Sequence, residues 1–456
     1  MSAFPWTDAD VRKALGLRAD LATGDVAFTG VSTDSRAIEE GHLYVALVGD
    51  RFDGHDFVAD ATSKGARGAV VSREPTGSSD VRLYPVDDTL VALGALAAHR
   101  RQRLGAPVVA ITGSSGKTTT KDLTAAALGS TKRVHATEGN RNNRVGMPLT
   151  LLAVPEDAEV VVLELGTNEP GEIRALVQVA RPDIGVVTTV GESHLEKLGS
   201  VDGVLQEKLD LLRGLASGGR CVVGDEPARL AEQARAFCPR LRVAGWSERA
   251  DADFRPQQAD VDVFGRYEFR WRDQTVAMPL AGKHAVADAM IALAIADLLG
   301  VPAKDAVRGL ARAQTNPLRG EVRRIGGLTV IIDCYNANPQ SVRAALDVLD
   351  GQGVAARRVA VLGTMLELGE ASDRLHREVL ADALSRPIDL IVATGKFAAA
   401  VPQVGTTHAS RLITGVDWNE AYPLLRERLA GDEVVLLKAS RGVALEGILP
   451  LMERDF

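Results

Sequence analysis

The residues best equipped for chemistry stand in Val108 to Thr120, VVAITGSSGKTTT. There a run of β-branched and small residues stops at Gly113-Ser114-Ser115-Gly116-Lys117-Thr118-Thr119. A buried strand that feeds a glycine turn and then a helix gathers backbone N–H groups and a helix N-terminus around one point. A multiply charged anion, a phosphate above all, fits that point. Lys117 is spaced to neutralise β- and γ-phosphates, and the Thr118 hydroxyl to serve as a hard oxygen ligand for Mg²⁺. The full phosphate-loop pattern has glycine where this chain has Ile111, so the match is to the shorter form GxxGKTT. A plain glycine turn followed by a surface lysine is the competing reading.

Two more apolar runs end on polar residues. Val160 to Leu163 leads into Glu164, and Val186 to Val190 into Gly191-Glu192-Ser193-His194. In a doubly wound sheet the carboxyl ends of the strands face one crevice, so Thr118, Glu164 and His194 are expected to share it. A carboxylate and an imidazole beside phosphates suggest metal ligation; capping of the next turn or helix is the alternative for each. The helical stripe Val201, Val204, Leu205, Leu211, Leu212 and Leu215 has Lys208 in its middle. A lysine there snorkels, meets a charge, or is converted into an anionic ligand, and the stripe leaves all three open. The loop Thr137-Glu138-Gly139-Asn140-Arg141-Asn142-Asn143 offers amides to a sugar or peptide, or turns for conformational reasons alone.

These groups need a scaffold of several units, since 456 residues exceed one ordinary core and suggest about three domains. Residues 1–85 alternate short strands and helices as a small α/β unit. Their loops Ser32-Thr33-Asp34-Ser35-Arg36 and Gly49-Asp50-Arg51-Phe52-Asp53-Gly54-His55 read as turn chemistry or as a ligand site. Residues 86–105 form a linking helix. Residues 106–317 carry the pattern of a mostly parallel sheet covered on both faces, with a small antiparallel addition over Val261 to Leu280. Residues 318–456 repeat the strand-helix alternation as a Rossmann-like unit whose strands again end on polar residues.

A net charge of −7, with both signs mixed along the chain, argues against a nucleic-acid surface or polybasic membrane patch. Cys221, Cys238 and Cys334 lack metal-ligand spacing, and no disulfide framework is expected. The opening MSAFPWTDADVRKALG shows neither a basic start nor an apolar stretch, and no run approaches spanning length. The expectation is a cytoplasmic protein.

Taken together, TGSSGKTTT, LELGTNEPGEI, GESHLEKLGS, the GKH of Gly282 to His284, and NPLRGEV before DCYNANP resemble the Mur ligase family over nearly the whole chain. The resemblance implies ATP-dependent amide ligation on a UDP-linked muramoyl peptide, by a monomer that uses two Mg²⁺ ions. EGNRNNRVGMPLT, DCYNANPQS and LGTMLELGEASDRLH favour, within the family, D-alanyl-D-alanine as the amine, and no DNPR-type motif for a diamino acid is present.

By the same resemblance Gly113, Ser114, Ser115, Gly116, Lys117, Thr118 and Thr119 hold ATP, with Arg319, Asp333 and Asn336 approaching it from the C-terminal side. Thr118 and Glu164 bind the first Mg²⁺, and His194 with a carbamylated Lys208 the second. Lys117, Glu164, His194 and Lys208 carry the catalysis. Ser32, Asp34, Ser35, Arg36, Asp53, Gly54 and His55 hold the uridine diphosphate; Thr137, Asn140, Asn142, Asn143, Thr167 and Asn168 contact the rest of that substrate. The family pattern has asparagine where this chain has Ala285 and Asp288, a departure that bears on the adenosine contacts. A sibling amino-acid or folate-glutamate ligase, a phosphate-loop kinase and a non-enzymatic nucleotide binder are the alternatives.

Overall fold

In a computed structural model, which describes residues 4–18, 26–76, 81–314, 317–352, 357–404 and 406–456, the chain forms three α/β domains. Asn316 of the NPLRG segment lies outside the described residues. The central sheet has the order Arg242–Ala244, Arg220–Gly224, Ile184–Val187, Val108–Thr112, Val160–Glu164, Val134–Ala136, and every pairing in it is parallel. Its inner strands are runs of valine, isoleucine and leucine without exposed positions, as helices on both faces require. The small antiparallel sheet Gln257–Val261, Arg266–Trp271, Gln274–Ala281 is the expected addition.

Register does the positioning. Ile111 pairs with Glu164 on one side and Val186 on the other, so both neighbouring strands end level with the start of the phosphate turn. The third strand stops at Val187, short of the expected Val190. Thr188 and Thr189 leave it to serve the turn instead: Thr188 Oγ1 donates to Ser115 O, and Ser114 N–H donates to Thr189 O at 2.9 Å.

The N-terminal sheet is parallel, in the order Gly30–Ser32, His42–Val45, Gly68–Val71, Arg82–Pro85, beside a short antiparallel pair Trp6–Thr7 and Ala27–Phe28. The C-terminal sheet has the order Glu321–Ile325, Leu328–Asp333, Val434–Lys438, Arg358–Leu362, Leu390–Thr394, Leu412–Gly415, antiparallel only at its first pair. Helix Thr89–Arg103 begins on an Asp88 cap and packs on helices Asp8–Leu15, Gly146–Leu152 and Glu172–Ala180. It is thus a shared wall as well as a connection. One apolar cluster runs from Trp6 and Leu43 through Val108 and Leu205 to Leu346 and Leu375, so all three domains share a core.

Cys221 and Cys238 come close in space, because the chain returns after helix Ala228–Ala234 and brings their Cα atoms to 6.2 Å. Cys334 is free and buried.

Helix Ala303–Leu310 lies against helix Lys117–Gly129, the helix that the phosphate turn opens, and Gly309 sits where a methyl would strike Ala126 O. Alanine is the better helix former by ~1 kcal/mol, but a backbone carbonyl cannot step aside. Gly309→Ala is expected to lower stability by about 1–3 kcal/mol, read from the urea midpoint; an unchanged midpoint contradicts this packing.

Candidate active site

The turn after Val108–Thr112 has the shape that its glycines allow. Gly116 precedes helix Lys117–Gly129 at φ 81, in the left-handed region, where a side chain would also run into Asp288. Gly113 is just as constrained, since a Cβ there would collide with Thr188 Oγ1. Lys117 folds back so that Nζ donates to Gly113 O at 2.8 Å. Burial lowers its pKa, with Glu164 opposing and Arg319 adding to the shift.

Glu164 closes strand Val160–Glu164 and is 2% exposed. Its N–H donates to Thr137 Oγ1 at 3.0 Å, its Oε1 accepts from Asn142 Nδ2 at 2.7 Å, and its Oε2 has no donor. A buried carboxylate oxygen without a donor calls for a cation. Lys208, on helix Val201–Arg213, is fully buried and its Nζ is likewise without a partner. Snorkelling is ruled out by that burial. Desolvation, followed by the nearby charge of Lys117, drives its pKa well below the ordinary lysine value, while Glu207, Glu172 and Glu164 pull the other way. His194 takes a left-handed backbone, φ 52, at the start of helix Leu195–Leu198. Its Nδ1 lies 2.7 Å from Glu367 Oε2, without the alignment of a hydrogen bond.

No group of three or more His, Cys, Asp or Glu side chains among the described residues is arranged to hold a metal ion. A cation here would instead draw on a mixed set. The orphaned Glu164 oxygen and the buried Thr118 hydroxyl fit a hard, oxygen-seeking ion. Burial, which disfavours the charged form of the Lys208 amine, favours its addition to CO₂, which would turn it into an oxygen donor.

Above this floor opens a cleft of about 1310 Å³ between the central and C-terminal domains. Ser114 through Thr119, Glu164, His194, Asn140, Asn142, Asn143, Thr167, Asn168, Arg319, Asp333 and Asn336 all line it. Arg319 lies over the Tyr335 ring at 4.0 Å, and Lys438 Nζ donates to Asp333 Oδ2 and Asn336 O, each at 2.7 Å. Thr137 is placed differently from the expectation: it is buried beneath the cleft and positions Glu164. Gly113 and Lys208 also lie outside the lining.

Ser32, Asp34, Ser35, Arg36, Asp53, Gly54 and His55 are away from the cleft in the N-terminal domain. Asp34 caps the turn Ser35–Ala37 and grips the Arg36 guanidinium at 2.9 and 2.7 Å. His55 is wholly buried, with Nδ1 at 2.6 Å from Asp53 and Nε2 accepting from Ser72 N–H at 2.8 Å.

Sequence reasoning missed the residues that join the two walls. Asn338 caps helix Pro339–Asp350, and its Nδ2 also donates to Ser115 Oγ at 3.1 Å; Thr189 Oγ1 donates to Gln340 Oε1 at 3.2 Å. An asparagine directly before a helix-opening proline was a legible cap, but nothing local revealed its second partner.

Three family descriptions match in turn: "Mur ligase family, catalytic domain" over residues 27–101, "Mur ligase middle domain" over 111–296 and "Mur ligase, glutamate ligase domain" over 318–441. The chain belongs to the Mur ligase family. A relative from Bacillus subtilis (strain 168), named UDP-N-acetylmuramoyl-tripeptide--D-alanyl-D-alanine ligase, is 36% identical over 426 residues, 92% of each chain. Among solved structures, MurF from Acinetobacter baumannii is similar with a TM-score of 0.90 and 31% identity over 100% of both chains. MurF ligase from Thermotoga maritima, in complex with ADP, is similar with a TM-score of 0.83 and 28% identity over 93% of this chain and 97% of that one.

This Mur ligase carries an acid, Asp288, against its phosphate turn. Asp288 Oδ1 accepts from Thr120 Oγ1 at 3.0 Å, and burial pushes its carboxyl up to about 8, with the Thr120 hydrogen bond opposing. The folded chain therefore keeps a proton that the unfolded chain has already released above its ordinary value of 3.8. Stability from this site falls as pH rises from about 4 to about 8 and levels off beyond. Asp288→Asn is expected to gain on the parent progressively across that window in denaturant unfolding; parallel pH profiles contradict it.

Proposed function

We propose that this chain is an ATP-dependent ligase joining D-alanyl-D-alanine to the peptide carboxylate of a UDP-N-acetylmuramoyl-tripeptide, with release of ADP and phosphate. The observation that carries the reading is the unpaired Glu164 carboxylate oxygen and the unpaired, fully buried Lys208 amine beside a phosphate turn. Similarity along the whole chain to relatives bearing that activity in their names supports the same choice of substrates. The ADP held by the Thermotoga maritima relative supports ATP as the energy source.

Amide formation from a carboxylate is uphill, so the carboxylate must first be activated. The peptide carboxylate oxygen would bond to the γ-phosphorus as the bond to ADP breaks, giving an acyl phosphate. Ser114 to Thr119 would hold the phosphates by backbone N–H groups, and Lys117 would offset charge between the two anions. Mg²⁺, when bound, would supply the remaining neutralisation, with Thr118 and Glu164 holding one ion and His194 with carbamylated Lys208 the other. The dipeptide amine would then bond to the acyl carbon and lose a proton as phosphate leaves. Asn338 and Gln340, reaching across to Ser115 and Thr189, support a cleft that shields the acyl phosphate from water.

Asn140, Asn142, Asn143, Thr167 and Asn168 would contact the muramoyl peptide, and Arg319, Asp333 and Asn336 the nucleotide. Ser32, Asp34, Ser35, Arg36, Asp53, Gly54 and His55 would hold the uridine diphosphate end; His55, being buried, would do so by fixing the loop. The reading is of a monomer in the cytoplasm. No helix among the described residues is long and apolar enough to cross a membrane.

Phosphate release is expected to require both the UDP-muramoyl tripeptide and the dipeptide. Release with either alone points to a kinase or a simple ATPase, and release with a single diamino acid to a sibling ligase. Lys208→Ala is expected to lower kcat by about 10–100-fold, with partial recovery in formate or acetate; full activity in the bare variant contradicts a modified lysine.

A further inference from the structure

The loop between strand Arg358–Leu362 and helix Ser372–Ser385 reaches out of the C-terminal domain to the central one. Glu367 on this loop is exposed, takes a left-handed backbone at φ 63, and lines the cleft. Its Oε2 lies 2.7 Å from Nδ1 of His194, which is itself left-handed at φ 52. Two non-glycine residues in this region, facing one another across a domain boundary, are uncommon. Such backbone persists only where the surroundings hold it, and functional sites are where it gathers.

The loop is held from both sides. On its own domain, Met365 N–H donates to His376 Nε2 at 2.9 Å, and Leu366 N–H donates to Ser440 Oγ at 3.0 Å. Towards the central domain, Glu196 N–H donates to Glu367 O at 3.3 Å. Gly369 passes so close to Glu196 that a Cβ on it would lie 2.9 Å from the Glu196 Cα. The carboxylate therefore arrives at the imidazole on a braced loop.

We infer that Glu367 is a positioning residue for His194, delivered by the C-terminal domain, so that the imidazole is set for a cation only when the two domains are in contact. The negative charge of a carboxylate 2.7 Å from Nδ1 favours the proton on that nitrogen even without an aligned hydrogen bond, and so leaves Nε2 with its lone pair free, which is the tautomer a metal takes. The C-terminal domain thereby also completes the metal site. This inference rests on the reading of His194 as a cation ligand.

The test uses the full chain and Mn²⁺ as the probe, with a non-hydrolysable ATP analogue bound, and reads Mn²⁺ affinity by electron paramagnetic resonance. Glu367→Ala is expected to weaken the tighter histidine-dependent binding by about 10–100-fold, and Glu367→Gln, which keeps the size, by less. His194→Ala is expected to cost at least as much, and the double variant no more than His194→Ala alone, because the carboxylate acts through the imidazole. Wild-type affinity in Glu367→Ala, with loss in His194→Ala, overturns the inference alone. Additive losses in the double variant overturn it too. Wild-type affinity in His194→Ala removes the ligand reading, and the inference with it.

Discussion

Buried polar groups without partners are the constraint on which the rest of this molecule turns. Glu164 Oε2 and Lys208 Nζ are both walled off from water and unpaired. Leaving such groups unsatisfied costs free energy that folding must supply from elsewhere. The surroundings are arranged to keep them so. Thr137 holds the Glu164 backbone and Asn142 its carboxylate, and helix Val201–Arg213 buries the Lys208 amine without a hydrogen-bond partner. Groups prepared in this way are complementary to a cation and a polyanion that arrive together.

The parallel sheet makes the arrangement possible at modest cost. Adjacent strands end at the same level, so three loops from distant parts of the sequence meet without any one of them being long. The second wall comes from a separate sheet, and the shared apolar cluster sets its distance from the first. Asn338, Gln340 and Glu367 reach across at three points, each on a loop or cap anchored in its own domain.

Much of this was legible in the sequence. The phosphate turn, the polar residues that follow the apolar runs Val160 to Leu163 and Val186 to Val190, and the lysine within an apolar helical stripe follow from local pattern, because strand and helix periods expose which positions must be buried. The limits are just as specific. Thr137 read as a ligand contact because an amide-rich loop looks alike whether it faces a ligand or braces a carboxylate. Asn338 read only as part of a motif, since its contact with Ser115 spans most of the chain. The approach of Cys221 to Cys238 depends on how one helix returns to its strand, and spacing alone does not encode that. Glu367 read only as part of LGTMLELGEASDRLH, and its place opposite His194 is set by the packing of two domains.

The most direct measurement is the anomalous scattering of Mn²⁺ in crystals grown with a non-hydrolysable ATP analogue. The account predicts nucleotide phosphates on the Ser114–Thr119 turn, a cation bonded to Glu164 Oε2 and Thr118, and a second at His194 and Lys208. Phosphates bound away from that turn, or a Glu164 oxygen still without a cation, would contradict it.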